Sequence, residues 1–276
     1  MIEADLSTFK IYLRILEILS KYLSKKYTEC KDNSTEHYQT IIIQKIVKML
    51  KTLETLTTEV QDETSARCVL RGILDNVAIY CFVYSSEDTD EMMFRHYLYN
   101  LDGFQTLKEV VEKCPLEQSS NKTHELDKID KIIKQIREKL NSHPYVQSQN
   151  EKIKKIIETA NWKYKSLQNL HPLSFKDIYI NIGLSEENAI YCQSFLSQFS
   201  HGLCLSNKPY SNDNENVLLE SIPLIFIMIK SIAQAFPKEN IADVIKKTID
   251  LNNSNFDRTK WFENINAIKK GEIVYI

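Results

Sequence analysis

The sequence predicts an all-α protein, an irregular bundle of about eight to ten helices. Glycine is scarce, with 5 residues in 276, and there are 6 prolines. Sheet and Rossmann-type folds need many tight turns and glycine loops, so this scarcity favours long helices. Apolar residues also recur at three- and four-residue steps over most of the chain, as they do on one face of a helix. The hydrophobic share of 43% is that of a globular protein.

The N-terminal half contains four predicted helices, each with an apolar stripe. We place them at about residues 5–26, 35–59, 63–84 and 89–112. The third is the most apolar, and the polar segment Ser85–Asp88 offers N-cap groups to the fourth. We expect one helical domain over residues 1–276, in which an N-terminal hairpin (residues 1–60) packs on a core (residues 61–276).

The C-terminal half continues as helices after a polar loop at Cys114–Thr123. The predicted helices are about residues 124–140, 146–159, a short helix opened by the capping pair Ser174 and Asp177, 185–200, 217–236, and one or two shorter ones. His201-Gly202 is the predicted stop of the helix at 185–200, and an Asn-rich loop follows at 207–216. We expect the hairpins 63–112 and 185–236 to form the centre of the fold.

Charge and cysteine usage favour a cytoplasmic protein with no membrane contact. The net charge of −2 indicates neither nucleic acid nor an anionic membrane as a partner. The six cysteines are scattered without a Cys-x-x-Cys pair, and Met1–Asp5 lacks the basic start of a signal peptide, which favours reduced thiols. The longest apolar run, Pro223–Ile229, is too short to span a bilayer.

Arginine is the informative cation in this chain, which has 29 lysines but only 6 arginines. Arg67, Arg71 and Asp75 follow one another at four-residue steps on one face of the third helix, and Arg95 and Tyr97 lie on the next. Two interpretations are open. The arginines form an ion-pair network with Asp75 and nearby acids, or they bind an anion such as a phosphate ester.

A second cluster is Tyr191 followed by Ser197 and His201, one helical turn apart. A serine and a histidine at this spacing could be a nucleophile and its base, but no Gly-x-Ser-x-Gly elbow or third orienting residue accompanies them. His201 is a candidate for ligand contact or proton donation. The alternative is a histidine that caps the end of its own helix.

These motifs together resemble a bacterial group of all-helical proteins, the domain-of-unknown-function family 5677. The matching pattern is an Arg-bearing apolar helix, an Arg-Tyr helix and a late Tyr…Ser-x3-His-Gly motif, over residues 60–240. The resemblance implies a bacterial cytosolic protein with a shared polar centre formed by Arg67, Arg71, Arg95, Ser197 and His201. In that family an acidic residue is common four positions after the first arginine, where this chain has Arg71. The resemblance brings no established activity, and it suggests a link to stress or phage defence.

A third signal is the spacing from Arg137 to His143, which fits the Arg-x4–6-His pattern of the helical HEPN ribonucleases. Those enzymes cleave RNA without metal at a dimer interface. The surrounding lysines could attract RNA, but interspersed acids make a solvated surface the alternative. No metal-ligand motif and no Gly-rich phosphate loop occurs, so we predict no metal and no cofactor.

The function that we predict from the sequence is recognition of a phosphate-bearing or otherwise anionic ligand by a central polar pocket. The predicted ligand-binding residues are Arg67, Arg95, Tyr97, Tyr191 and Ser197, with His201 and Arg71 as the reactive pair if the protein is an enzyme. One alternative is a HEPN-like ribonuclease that acts on RNA as a homodimer. The other is a non-catalytic helical scaffold with an exposed apolar groove.

Overall fold

A computed structural model describes residues 6–27, 34–113, 120–147, 151–201 and 214–251 of the chain. These residues form eleven α-helices and no strand, which confirms the predicted all-α bundle. The one sheet-like feature within these ranges is an isolated antiparallel bridge between Tyr164 and Pro172.

The predicted helices agree with the observed ones to within a few residues. In chain order the helices are α1 (Leu6–Tyr27), α2 (Thr35–Thr55), α3 (Glu63–Tyr84), α4 (Thr89–Lys113), α5 (Ser120–Asn141), α6 (Pro144–Gln147), α7 (Glu151–Glu158), α8 (Phe175–Asn181), α9 (Glu186–Ser200), α10 (Asn214–Ala235) and α11 (Ile241–Leu251). The segment predicted as one helix at 146–159 contains the end of α6 and the whole of α7, which is why the helices outnumber the prediction. Gly202 and most of the predicted Asn-rich loop lie outside the described residues.

Short polar side chains start several of these helices. Ser34, Asp62 and Ser185 each accept a hydrogen bond from a backbone N–H three residues ahead, at 3.1, 3.1 and 3.2 Å. Such caps satisfy backbone donors that have no partner within the helix. Asp88 does the same before α4, accepting from the N–H groups of Asp90 and Glu91. The local sequence therefore accounts for where these helices begin.

The end of α2 was not predicted. The helix continues as a π-helical turn over Leu56–Val60, and Gln61 then adopts a left-handed conformation with φ of 57°. The Thr57 hydroxyl is buried and donates to the carbonyl of Leu53 at 2.8 Å. This turn brings the chain to Asp62, the cap of α3.

The chain divides into two compact units. The first contains α1–α3 and α8–α11, and α3 packs there against α2, α8, α9 and α10. The second covers residues 86–174, and α4 packs there along α5. The sequence prediction of one domain, with the hairpin 1–60 on a core of 61–276, is not decided by this grouping and stays a prediction.

The most apolar helix is α10, whose segment Asn216–Ala235 is long and apolar enough to cross a membrane, with a mean hydropathy of 1.7. The sequence analysis considered only uninterrupted apolar residues and found the run Pro223–Ile229 too short to span a bilayer. Polar residues within the helix interrupt that run, so the length of the whole apolar segment was missed. The most apolar stretch of this helix is 61% buried inside the protein. The helix packs against α1 and α3, so it has the environment of a core helix.

A buried carboxylate fastens the segment after α10 to α1. The Glu239 side chain is 4% exposed and accepts hydrogen bonds from Lys26 Nζ at 2.5 Å and from the hydroxyls of Tyr22 and Tyr27 at 2.6 and 2.9 Å. A buried carboxylate needs such partners. This contact therefore holds the segment between α10 and α11 against α1, within the first unit.

Candidate functional site

Arg67 and Arg71 project from α3 toward α8, α9 and α10, all within the first unit. Arg67 is only 6% exposed. Its Nε donates to Glu63 at 2.8 Å, and its Nη1 lies 3.2 Å from the Tyr191 hydroxyl and 3.4 Å from Glu220 Oε1. The guanidinium also lies over the ring of Phe195, 5.2 Å from its centroid.

Arg71, one turn further along α3, has its own set of partners. Its Nε donates to Asp75 at 3.2 Å, and its Nη1 donates to the backbone carbonyl of Cys192 at 2.5 Å. The Tyr179 hydroxyl donates to the other oxygen of Asp75. Burial and this hydrogen bond to Asp75 raise the pKa of Tyr179, which stays protonated. Arg71 thus joins α3 to α8 and α9.

The ion-pair network that the sequence left open as one interpretation is present. Each of the two guanidiniums already has a carboxylate of the protein as its partner. An anionic ligand would have to displace one of these carboxylates to reach either arginine. The predicted anion site therefore stays a hypothesis. It requires that the ligand compete with these carboxylates for the guanidiniums.

A cavity of about 260 Å³ opens beside this network, within the first unit. We call it the α3–α9–α10 cavity. Its lining comes from α3 (Leu70, Leu74), the turn before α9 (Ile182, Gly183, Leu184, Ser185), α9 (Asn188, Tyr191, Cys192, Leu196) and α10 (Glu220, Pro223, Leu224, Ile227). Most of these side chains are apolar. Gly183 has φ of 106°, which an L side chain rarely adopts, so glycine is needed for this turn.

Two titratable lining residues are neutral at pH 7. Burial, reinforced by the charge of Glu220, raises the pKa of Tyr191 to about 12. Burial also raises the pKa of the Cys192 thiol to about 11, against an opposing effect of Arg71. Cys192 is therefore a thiol and a poor nucleophile. Among the described lining residues, Glu220 is the one charged side chain.

Ser197 and His201 lie at the C-terminal end of α9. The Ser197 hydroxyl donates to the carbonyl of Gln193, four residues earlier in its own helix. His201 is exposed and its backbone N–H bonds to the carbonyl of Ser197 at 3.1 Å, so it occupies the C-cap of α9. Neither residue is among those that line the cavity. The helix-capping alternative describes the observed position of His201.

Arg95 and Tyr97 belong to the second unit, whereas Arg67 and Arg71 belong to the first. Arg95 is 7% exposed; its Nη2 donates to Glu91 at 2.7 Å and to the carbonyl of Lys165 at 3.1 Å. Its guanidinium lies 4.6 Å from the ring centroid of Tyr164. Arg95 thus holds the segment after α7 against α4. Tyr97 is half-buried, with Lys139 Nζ 5.3 Å from its ring centroid.

The residues of the ribonuclease motif differ sharply in exposure. Arg137 is exposed on α5. His143 is buried between the rings of Phe94 and Tyr145, at centroid distances of 5.2 and 4.9 Å, and burial lowers its pKa. His143 thus has the surroundings of a packing residue, and the ribonuclease alternative stays a prediction. In the described part of the chain, no group of three or more His, Cys, Asp or Glu side chains could hold a metal ion.

The sequence analysis missed Glu220, Cys192 and Tyr179, which complete the surroundings of the two arginines. Glu220 is 153 residues from Arg67, and Cys192 is 121 residues from Arg71. One usable signal was the position of Glu220: it is an acid in the most apolar helix, next to the buried apolar run that starts at Pro223, and such an acid needs a partner.

No family model, no curated protein and no solved structure matches this chain. The resemblance to family 5677 accordingly stays a prediction.

Proposed function

We propose that this protein binds a small, mostly apolar molecule in the α3–α9–α10 cavity. The observation that carries the proposal is the cavity itself, an apolar space of about 260 Å³ with its polar side chains confined to a few positions. Small-molecule sites have this composition: an apolar lining with a few polar groups that set the orientation of the ligand.

The volume limits the size of the ligand. An apolar cavity of about 150 Å³ holds one benzene ring, and sites for drug-sized ligands begin at about 300 Å³. A space of about 260 Å³ therefore suits one ring with a short side chain, or an aliphatic molecule of similar bulk.

Binding can be tested with 3-phenylpropan-1-ol, a neutral probe of this size, by ligand-observed NMR and thermal shift. We expect saturable binding to the full chain. Ile227→Trp places a larger side chain in the lining and should abolish binding. Ile180→Trp is the matched control, because Ile180 is 38% exposed on α8 and is not a lining residue.

Cys192 provides an independent readout, because it lines the cavity. Because Cys192 is a poor nucleophile, its alkylation by N-ethylmaleimide should be slow, and the bound probe should slow it further. Mass spectrometry of the peptide measures the rate. Cys68 lies outside the lining and should react at an unchanged rate. Absence of saturable binding, or equal binding by wild type and a folded Ile227→Trp variant, would refute the proposal.

A further inference from the structure

The charge of Glu220 is matched within the protein. Glu220 Oε1 lies 3.4 Å from Arg67 Nη1, and the Tyr191 hydroxyl lies 3.3 and 3.4 Å from the two carboxylate oxygens. Tyr191 and Cys192 are both neutral at pH 7. A charged ligand would therefore lose hydration in an apolar space whose described lining has no unpaired charge. The α3–α9–α10 cavity thus favours an uncharged ligand.

The side-chain amide of Asn188 is a polar group of the lining that is open to a ligand. Asn188 lies in the first turn of α9 and is exposed, so it stands at the mouth of the cavity. Its backbone N–H donates to the Ser185 hydroxyl at 3.2 Å, but its side chain makes no hydrogen bond to any described residue. This amide offers a C=O acceptor beside an NH2 donor.

The rest of the cavity is lined mainly by buried leucines. Leu70, Leu74, Leu196 and Leu224 are each at most 6% exposed. A ligand that fits both parts has an apolar body, which packs against these leucines, and one polar end, which lies beside Asn188.

We infer that the ligand of this cavity is an uncharged carboxamide, an alkyl or arylalkyl primary amide that pairs with the side chain of Asn188. The inference rests on the proposed function and adds the ligand's polar group to it. Two primary amides can pair edge to edge, with each NH2 donating to the C=O of the other. An ammonium group only donates and a carboxylate only accepts, so each of them leaves half of the Asn188 amide without a partner.

The test compares four probes with one skeleton: 3-phenylpropanamide, 3-phenylpropan-1-ol, 3-phenylpropylamine and 3-phenylpropanoate. Titrations by ligand-observed NMR give their affinities for the full chain. We expect the amide to bind about fivefold more tightly than the alcohol, because it forms one further hydrogen bond. The amine and the carboxylate should bind more weakly than the alcohol, because burial costs them more hydration. Since no ion pair takes part, the affinity for the amide should not change with salt.

Asn188→Leu removes both functions of the amide and keeps the approximate size of the side chain. In this variant the ratio of the affinities for the amide and the alcohol should fall to about one. Asn181→Leu is the matched control, because Asn181 is an exposed asparagine at the end of α8 and is not a lining residue. It should leave the preference for the amide unchanged.

Asn188→Asp is a second variant, which keeps the test decisive if Asn188→Leu does not fold. An acid in the first turn of a helix is favoured by the helix dipole, so this variant should fold. Its new carboxylate accepts hydrogen bonds but donates none. The amine should therefore become the tightest of the four probes, through a charge-assisted hydrogen bond to Asn188→Asp.

The outcomes separate the two proposals. Binding of none of the probes refutes the proposed function and the present inference with it. Equal binding of the amide and the alcohol overturns the present inference and leaves the proposed function standing. Tightest binding of the amine or the carboxylate to the wild type also overturns it. A preference for the amide that persists in Asn188→Leu, or an unchanged order of affinities in Asn188→Asp, overturns the assignment to Asn188.

Discussion

At the scale of single residues, Arg67 illustrates how a charge is kept inside an apolar bundle. Its guanidinium is hydrogen-bonded to Glu63 and lies over the rings of Phe195 and Phe199, at 5.2 and 5.6 Å from their centroids. The carboxylate supplies the opposite charge, and the aromatic faces attract the cation without needing water. Burial is tolerated because both kinds of partner are present.

We expect Arg67→Ala to lower the free energy of unfolding by about 3 kcal/mol, because it removes the cation that pairs with Glu63 and contacts Glu220 and opens space between the rings. Urea unfolding followed by circular dichroism measures this change. Arg137→Ala, at an exposed arginine, should stay within about 0.5 kcal/mol of the wild type. Equal effects of the two substitutions would contradict the structural role of Arg67.

Residue-scale prediction from sequence succeeded where the partner is near in the chain. The pairing of Arg71 with Asp75 was foreseeable, because residues four apart on a helix are neighbours. The carbonyl of Cys192 was not, because only the packing of α9 on α3 brings it to Arg71. Whether Arg71 meets an anion or the protein's own groups is decided by such distant contacts.

At the scale of elements, the helix bounds were predictable because caps and apolar periodicity are local signals. The starts of α3 and α9 follow Asp62 and Ser185, whose side chains cap them. The expectation that the hairpins 63–112 and 185–236 form a common centre stays a prediction: α3 contacts α9 and α10, whereas α4 is grouped with the second unit. The assignment of α4 to a separate unit was not visible, because its periodicity does not say what its apolar face packs against.

Two helical glycines should respond differently to alanine. A Cβ at Gly103 in α4 would meet nothing within 4 Å, so Gly103→Ala should stabilise the protein by about 1 kcal/mol through helix propensity alone. A Cβ at Gly72 in α3 would lie 2.5 Å from the terminal methyl of Met49, which must move aside. Gly72→Ala should therefore gain less than Gly103→Ala in urea unfolding. A larger gain at Gly72 would show that α2 and α3 are not in close contact there.

The hydrogen bonds between Glu239 and α1 should make the free energy of unfolding depend on pH. Burial alone would raise the pKa of Glu239, but hydrogen bonds from Lys26, Tyr22 and Tyr27 outweigh it and lower the pKa below the ordinary 4.5. A lowered folded-state pKa contributes stability above the unfolded-state value, and this contribution is lost as the pH falls through the folded-state value.

Glu239→Gln should therefore be less stable than the wild type at pH 7, and the difference should shrink as the pH falls below about 4.5. Urea unfolding at a series of pH values measures it. Glu187→Gln, at an exposed acid, is the control. If the difference in stability between Glu239→Gln and the wild type does not change with pH, Glu239 is not ionised in its contact with α1.

At the scale of the whole molecule, α3 and α10 are the helices on which the first unit is built. Native-state hydrogen exchange should find their amides the most protected, opening only with global unfolding. Residues 104–113 at the end of α4 include no fully buried side chain and should exchange much earlier. Equally fast exchange in α10 would contradict its position in the core and would favour a membrane or partner as its natural surroundings.

Lys26 and Glu239 are in contact although they are 213 positions apart in the chain. The helix α1 likewise packs against α10 and α11, which follow it at a similar distance in sequence. During synthesis at about 5–20 residues per second, the apolar face of α1 waits about 10–40 s for these partners to leave the ribosome. Because α2 follows α1 directly and packs against it, the nascent chain exposes only the part of α1 that later contacts α10 and α11. We expect a chaperone or the ribosome surface that shields this remaining face of α1 to reduce aggregation of the nascent chain until α10 and α11 emerge.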